Sequence, residues 1–100
     1  MRQLFIVTDN GIYFGRDNLH KNLAERISIK KEHILGGGVF QQGKDQWILF
    51  GESQDFGKFD TELLQLFIDE KKLFWFKSPL PFEVEFIIDE DRVETSSDEF

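Results

Sequence analysis

The chain contains no cysteine and only two histidines among its 100 residues. The lack of cysteine excludes a disulfide scaffold, as well as zinc and iron–sulfur sites with thiolate ligands. The two histidines also lack the regular spacing to Asp or Glu that metal-binding motifs show. The sequence therefore predicts neither a metal ion nor another cofactor.

Long apolar runs and clusters of basic residues are absent as well. The longest apolar runs have the length of a strand, whereas a membrane-spanning helix needs about 20 residues. Residues 4–7 are too few for the apolar core of a signal peptide. No stripe of Lys and Arg is present to neutralise the phosphates of a nucleic acid. We therefore expect a cytoplasmic monomer that binds neither membrane nor nucleic acid.

Most of the negative charge lies at one end of the chain. The net charge is −7, and residues 89–100 hold six acidic residues and one arginine. Such a composition is typical of a solvated, flexible chain end. The whole chain has 12 Phe and 2 Trp, enough apolar surface for one hydrophobic core. We therefore predict one domain over residues 1–88 and a flexible acidic tail over residues 89–100.

Local patterns predict the order of the secondary-structure elements. Asn10-Gly11 between two apolar runs indicates a β-hairpin, and apolar residues at helical spacing indicate helices within residues 19–27 and 63–68. The predicted strands are residues 4–8, 12–14, 39–42, 46–50, 73–76 and 82–87. The order β-β-α-β-β-α-β-β predicts an α+β domain, in which a mixed sheet of about six strands packs with two helices.

Polar residues next to these patterns predict caps and turns. Asp17 or Asn18 should cap the first helix, and Asp60 should cap the second. Residues 78–81 contain two prolines and are expected to form a rigid turn. Residues 82–87 alternate between apolar and polar side chains, which indicates an edge or near-edge strand.

Five glycines stand out in the middle of the chain. Gly36, Gly37 and Gly38 interrupt an apolar, β-prone run, although glycine weakens a strand. They are expected to bend or bulge the strand, or to let another group approach the backbone closely. Gly51 and Gly57 enclose a polar loop in which a ligand can meet bare backbone. We therefore predict structural roles for all five.

The two histidines lead to different expectations. His33 comes just before a predicted strand and is expected to be a surface residue. His20 lies in the first turn of a helix, where the helix dipole and free N–H groups suit an anion and favour a neutral imidazole. A single histidine on a helix is more often structural than catalytic, so these residues alone leave both roles open.

Three patterns together resemble one known family. They are Leu35-Gly36-Gly37-Gly38, the loop Phe50-Gly51-Glu52-Ser53-Gln54-Asp55-Phe56-Gly57, and His20-x-x-Leu23-x-x-x-Ile27 after Gly15. In combination they look like the Janus/ocnus family, whose best-known activity is that of protein phosphohistidine phosphatase. The resemblance covers residues 2–72 and 81–84.

The resemblance implies an activity and a set of site residues. His20 would be the catalytic residue, as nucleophile or general base, and Arg2 would offset the charge of the phosphate. Backbone amides would hold the phosphoryl oxygens, and they belong to Leu19, Lys21, Ser53, Gln54 and Asp55. The reaction would be metal-independent hydrolysis of the P–N bond of phosphohistidine in a phosphorylated protein, or of a small phosphoramidate.

Departures from the family pattern leave other functions open. Glu52 and Asp55 place carboxylates in the loop that would face a phosphate dianion, and Arg2 stands where the family has lysine. The chain could therefore be a non-catalytic relative that binds a phosphate or a partner protein. A third alternative is an adaptor in which residues 36–38 only bend the sheet.

Overall fold

The computed structural model describes residues 1–93. In this range two α-helices and seven strands form one α+β domain, and the predicted fold class is confirmed. None of the described helices is long and apolar enough to cross a lipid bilayer. The elements are β1 Arg2–Thr8, β2 Ile12–Asp17, α1 His20–Ile27, a 3₁₀ turn Lys31–His33, β3 Ile34–Gln42, β4 Gln46–Phe50, α2 Thr61–Asp69, β5 Leu73–Trp75, β6 Ser78–Pro79 and β7 Glu85–Ile88.

The sheet is mixed, and β1 lies at its centre. The strand order is β6-β5-β2-β1-β3-β4-β7. β1 pairs antiparallel with β2 and β3, whereas β5 runs parallel to β2 and β7 runs parallel to β4. The last strand is therefore an edge strand, as its alternating pattern predicts, although it begins at Glu85 rather than at residue 82.

One predicted turn proves to contain a strand. Ser78 and Pro79 pair with Trp75 and Phe74 at the other edge of the sheet, so the sheet has seven strands rather than about six. The prediction of a turn was therefore wrong for Ser78 and Pro79. It was made because proline has no N–H to donate to a strand pair and usually marks a turn. On an edge strand, that missing N–H can face solvent without loss of a ladder hydrogen bond.

The central strand β1 packs against one helix on each face of the sheet. Successive side chains of a strand point to opposite faces. Leu4 and Ile6 therefore lie in the core beneath α1, while Phe5 and Val7 lie in the core beneath α2. The helix side chains buried in these two cores are Leu23, Ala24 and Ile27 of α1 and Leu64 and Phe67 of α2. Burial on both faces explains why β1 is an uninterrupted apolar run.

The sheet curls around the larger core. The ring centroids of Trp47 on β4 and Trp75 on β5 lie 6.3 Å apart, yet three strands separate β4 from β5 in the sheet. In a flat sheet these strands would be about 19 Å apart. Phe14 on β2 lies in the core between β4 and β5, with its ring 5.3 Å from that of Trp47. The curl thus closes the sheet over an aromatic core.

The two helices begin in different ways. Asp60 caps α2 as predicted, since its carboxylate accepts hydrogen bonds from the N–H groups two and three residues later. The prediction that Asp17 or Asn18 caps α1 was wrong, because the N-cap residue is Leu19, whose side chain forms no capping hydrogen bond. The first N–H groups of α1 therefore depend on acceptors from other parts of the chain.

The glycine triplet lies inside one continuous strand. β3 runs through it, and the register irregularity between β1 and β3 falls at Leu35, just before the triplet. A Cβ at Gly36 would lie 2.5 Å from the carbonyl oxygen of Lys58, and a Cβ at Gly38 would lie 2.5 Å from that of Phe50. Gly36 and Gly38 therefore let neighbouring backbone approach closely, which is one of the roles expected of them.

The first residues of the predicted tail contact the domain. The N–H of Asp89 donates to the carbonyl oxygen of Leu49 at 2.9 Å. The guanidinium carbon of Arg92 lies 3.9 Å from the centre of the Phe50 ring. Contacts with the domain thus extend to Arg92, and residues 94–100, which complete the predicted tail, lie outside the described residues.

Candidate functional site

His20, the first residue of α1, is buried, with 3% of its surface exposed. Its ring Nε2 lies 2.8 Å from the carbonyl oxygen of Gly38. Because a carbonyl oxygen can only accept, Nε2 must carry the hydrogen, and in the neutral ring Nδ1 then carries the lone pair. The imidazole is therefore held in one orientation and, when neutral, in one tautomer.

Gly37 makes room for this imidazole. A Cβ at Gly37 would lie 3.0 Å from His20 Cδ2, 3.3 Å from Ser53 Cβ and 2.8 Å from the carbonyl oxygen of Phe5. The His20 ring and the Ser53 side chain therefore both lie against the bare β3 backbone at Gly37. The structure thus brings the predicted catalytic residue next to the predicted phosphate loop.

The loop between β4 and α2 is closed by its own hydrogen bonds. Ser53 is buried, and its Oγ accepts from the N–H groups of Asp55 at 3.2 Å and Phe56 at 3.0 Å. Ser53 and Gly57 exchange two backbone hydrogen bonds, and the Gly37 N–H donates to the Gly57 carbonyl oxygen at 3.1 Å. The amides of Ser53 and Asp55 therefore already have partners within the loop.

A carboxylate from this loop caps α1. Asp55 Oδ2 accepts a hydrogen bond from the N–H of Lys21 at 3.1 Å. Lys21 is the second residue of α1, where the N–H groups lack partners within the helix and the dipole is positive. Since the Leu19 side chain gives no cap, Asp55 supplies one from the loop between β4 and α2. An internal anion therefore lies where the resemblance implies a phosphate.

A second carboxylate lies beside the same helix start. Asp17 Oδ1 accepts from the Asn18 N–H at 2.7 Å, and Asp17 Oδ2 pairs with Arg26 Nη1 at 3.0 Å. Burial favours the neutral acid, but the hydrogen bonds from these groups, from the Asn22 side chain and from the Leu19 N–H outweigh it and lower the pKa of Asp17. Asp17 is therefore ionised at neutral pH and holds the Leu19 amide.

Arg2, Gln54 and the two loop glycines complete the predicted set. Arg2 begins β1, and its Nη1 donates to the carbonyl oxygen of Asn18 at 3.4 Å. Its guanidinium therefore lies near the start of α1. Gln54 is exposed in the turn of the loop. Gly51 and Gly57 have φ values of 74° and 85°, which glycine adopts without strain.

Two features of the site were not predicted from the sequence, namely the Gly38 carbonyl that binds His20 and the cap that Asp55 provides. The first concerns a backbone atom, which carries no side-chain signal. The second left a partial signal, because a helix that begins after Leu19 lacks the usual polar cap residue. The space at Gly37 agrees with the close approach expected of the glycine triplet, but the sequence did not indicate that His20 is the group that approaches.

His33 lies away from this site. Its Nδ1 is 2.8 Å from a carboxylate oxygen of Asp9, and the two side chains are 52% and 49% exposed. Across residues 1–93, no group of three or more His, Cys, Asp and Glu side chains is arranged to hold a metal ion.

Comparison with known proteins adds no relative. No family model, curated protein or solved structure matches the chain significantly. The resemblance to the Janus/ocnus family therefore stays a prediction from the motifs in the sequence.

Proposed function

We propose that the chain hydrolyses the P–N bond of phosphohistidine, or of a similar phosphoramidate, and that His20 takes part directly. One observation carries this proposal. The Gly38 carbonyl orients the His20 ring, and this ring and Ser53 of the loop both lie against Gly37. The motifs around these residues are the ones that resemble the phosphohistidine phosphatases.

In this proposal the phosphoryl group binds at the start of α1. The Lys21 N–H and the helix dipole favour an anion there, and the Arg2 guanidinium offsets its charge. Because Asp55 accepts the Lys21 hydrogen bond at 3.1 Å, the phosphoryl group must displace the Asp55 carboxylate. Substrate binding is therefore coupled to a movement of the loop.

A single proton acceptor is enough for this reaction. His20 Nδ1 takes a proton from water while the water oxygen attacks phosphorus. The P–N bond then breaks, the leaving imidazole nitrogen takes up a proton from solvent, and His20 Nδ1 returns its proton to solvent, which gives inorganic phosphate and histidine. If His20 instead attacks phosphorus itself, the substrate P–N bond breaks as a phosphoryl-His20 intermediate forms, and the leaving imidazole nitrogen takes up a proton from solvent. Water then hydrolyses the intermediate in a second step, which gives inorganic phosphate and restores His20.

A second candidate function is binding without catalysis. Asp55 favours it, because its carboxylate already occupies the helix start and would repel a phosphate dianion. In that case His20 is a buried structural residue that ties α1 to β3 through Gly38, and a partner is recognised by the outer surface.

Hydrolysis of a phosphohistidine-containing protein separates these two functions. Wild type should release phosphate, and His20→Ala should not. His20→Gln keeps a donor near the Gly38 carbonyl oxygen, so it tests the chemistry with less disturbance of the fold. His33→Ala changes the exposed histidine and should keep the wild-type rate.

The outcomes are distinct. Phosphate release by wild type at the background rate would contradict the enzyme proposal and favour binding without catalysis. Full activity of both His20 variants would contradict the assignment of the site. Phosphate that stays covalently bound to wild type after a rapid alkaline quench, but not to His20→Gln, would identify His20 as the nucleophile rather than the general base.

A further inference from the structure

A cavity of about 700 Å³ opens at the end of the sheet where β1 begins. Three of the chain's four arginines line it, namely Arg2, Arg16 and Arg92, and we call it the arginine cavity. Among the described residues that line it, none carries a carboxylate. Positive charge is thus concentrated at one place on a chain whose net charge is −7.

Neutral groups hold two of these arginines in place. The Arg92 guanidinium carbon lies 3.9 Å from the centre of the Phe50 ring, and Arg92 Nη2 donates to Gln41 Oε1 at 3.0 Å. The Arg16 guanidinium carbon lies 5.6 Å from the centre of the Trp75 ring. Such contacts orient a guanidinium group without cancelling its charge.

The fourth arginine provides the contrast. Arg26 Nη1 lies 3.0 Å from the buried carboxylate of Asp17, so its charge is balanced within the fold. Arg16 and Arg92, by comparison, contact neutral groups and face the same cavity, where their like charges repel one another unless an anion binds between them. The charge distribution therefore points to an acidic ligand.

We infer that the arginine cavity binds a short acidic segment of a partner protein. Arginine forks bind carboxylates through two parallel hydrogen bonds. Val39 and Phe50 add apolar surface to the cavity, and Gln3 and Gln41 add amides that can bond to a peptide backbone. A nucleic acid fits less well, because its phosphate chain would extend over a surface of negative net charge.

The arginine cavity adjoins the candidate active site. Arg2 lines the cavity and also donates to the carbonyl oxygen of Asn18, two residues before His20. The identity of the partner rests on the proposed function: the acidic segment belongs to the phosphorylated substrate protein. Its phosphohistidine lies at His20 while its acidic residues lie in the arginine cavity.

Peptide binding tests this inference without a phosphorylated group. The probe is a fluorescently labelled hexaglutamate peptide, and its binding to the full-length chain is followed by fluorescence anisotropy. Arg16→Gln and Arg92→Gln should each weaken binding about tenfold. Lys31→Gln removes the same charge from an exposed position near the opposite end of β1 and should leave the affinity unchanged.

Several results would overturn the inference. Equal affinity of a matched hexaglutamine peptide contradicts a specific carboxylate site, and so does a loss of binding in Lys31→Gln as large as in the arginine variants. Wild-type affinity of both arginine variants contradicts the location. Tighter binding of a single-stranded oligothymidylate than of hexaglutamate contradicts the ligand class. Arg16→Gln decides the matter if Arg92→Gln loses stability with its Phe50 contact.

The two proposals fail separately. A chain that binds hexaglutamate but does not hydrolyse phosphohistidine keeps the arginine cavity as a binding site and loses the phosphatase function. A chain that hydrolyses phosphohistidine but does not bind hexaglutamate loses the inference on the acidic segment alone.

Discussion

The carboxylate of Asp55 accepts a hydrogen bond from the N–H of Lys21 at 3.1 Å, although 34 positions separate the two residues in the chain. This bond ties the loop after β4 to the first turn of α1. It satisfies a helix N–H that has no partner within the helix, and it occupies the place where an anion from solution would bind. One hydrogen bond therefore links the stability of the fold to the binding of a ligand.

Replacing Asp55 should change stability and phosphate binding in opposite directions. Asp55→Ala removes the cap of α1 and should lower the free energy of unfolding by about 1 kcal/mol. It also removes a negative charge from the anion position, so the affinity for inorganic phosphate should rise about tenfold. Thermal unfolding measures the first effect, and NMR titration of the Lys21 and Gln54 amide signals measures the second.

Glu52→Ala is the matched control for that experiment. Glu52 is exposed in the same loop and carries the same charge, but no described hydrogen bond joins it to α1. Its replacement should change both quantities much less. An equal gain in phosphate affinity for Glu52→Ala would mean that net charge, rather than the Asp55 contact, limits binding.

Adding one methyl group to Gly37 should disturb the site. In Gly37→Ala the new Cβ would lie 2.8 Å from a backbone oxygen of Phe5 and 3.0 Å from His20 Cδ2, so the strand and the imidazole must both shift. We expect a loss of about 1–3 kcal/mol in the free energy of unfolding and a displaced NMR signal for the His20 ring. Chemical denaturation and a histidine ring spectrum are the measurements.

Leu35→Ala is the matched control, because it places alanine on the same strand at a residue that is 49% exposed. We expect its free energy of unfolding to stay within about 0.5 kcal/mol of wild type and its His20 signal to keep its position. Should Gly37→Ala behave like this control, the close contact between Gly37 and His20 would be contradicted.

The pH dependence of stability should reflect Asp17. Its pKa is lowered from 3.8 in the folded chain, because the hydrogen bonds from Arg26 and from neighbouring N–H groups outweigh its burial. A carboxyl whose folded pKa is lowered stabilises the fold above its unfolded pKa, and this contribution is lost as the pH falls through the folded pKa. Asp17→Asn should therefore be less stable than wild type at pH 7, and the difference should shrink below about pH 4.

Thermal unfolding of both proteins between pH 7 and pH 2 checks this expectation. Glu25→Gln changes an exposed acidic residue of α1, the helix that contains the Arg26 partner of Asp17, and should follow wild type throughout. A difference between Asp17→Asn and wild type that stays constant down to pH 2 would show that the carboxylate charge of Asp17 does not contribute to the stability.

The two ends of α2 should respond differently to the loss of an aspartate. Asp60→Ala removes a side chain that accepts hydrogen bonds from two helix N–H groups, and it should lower the free energy of unfolding by about 1 kcal/mol. Asp69→Ala removes a negative charge from the last turn, where the helix dipole disfavours it, and should be neutral or slightly stabilising. Equal losses in urea denaturation would contradict the capping assignment.

Residues that lie close together in the chain predicted their local structure correctly. Asn10 and Gly11 indicated a hairpin, and Asp60 indicated a helix start, and both are confirmed. Each depends on the backbone preferences of a few consecutive residues. The two-residue strand at Ser78 and Pro79 was missed, because it exists only through its pairing with β5.

The sequence by itself determined the α+β class, the two helices and the order of the main strands, because apolar periodicity and turn residues act over short distances. It also indicated His20 and the loop that contains Ser53 as candidate site residues. Only the tertiary structure decided that Gly37 lets these two side chains lie together, and that the Asp55 carboxylate lies on the Lys21 N–H. These contacts arise when the sheet and α1 pack, so no local pattern of residues specifies them.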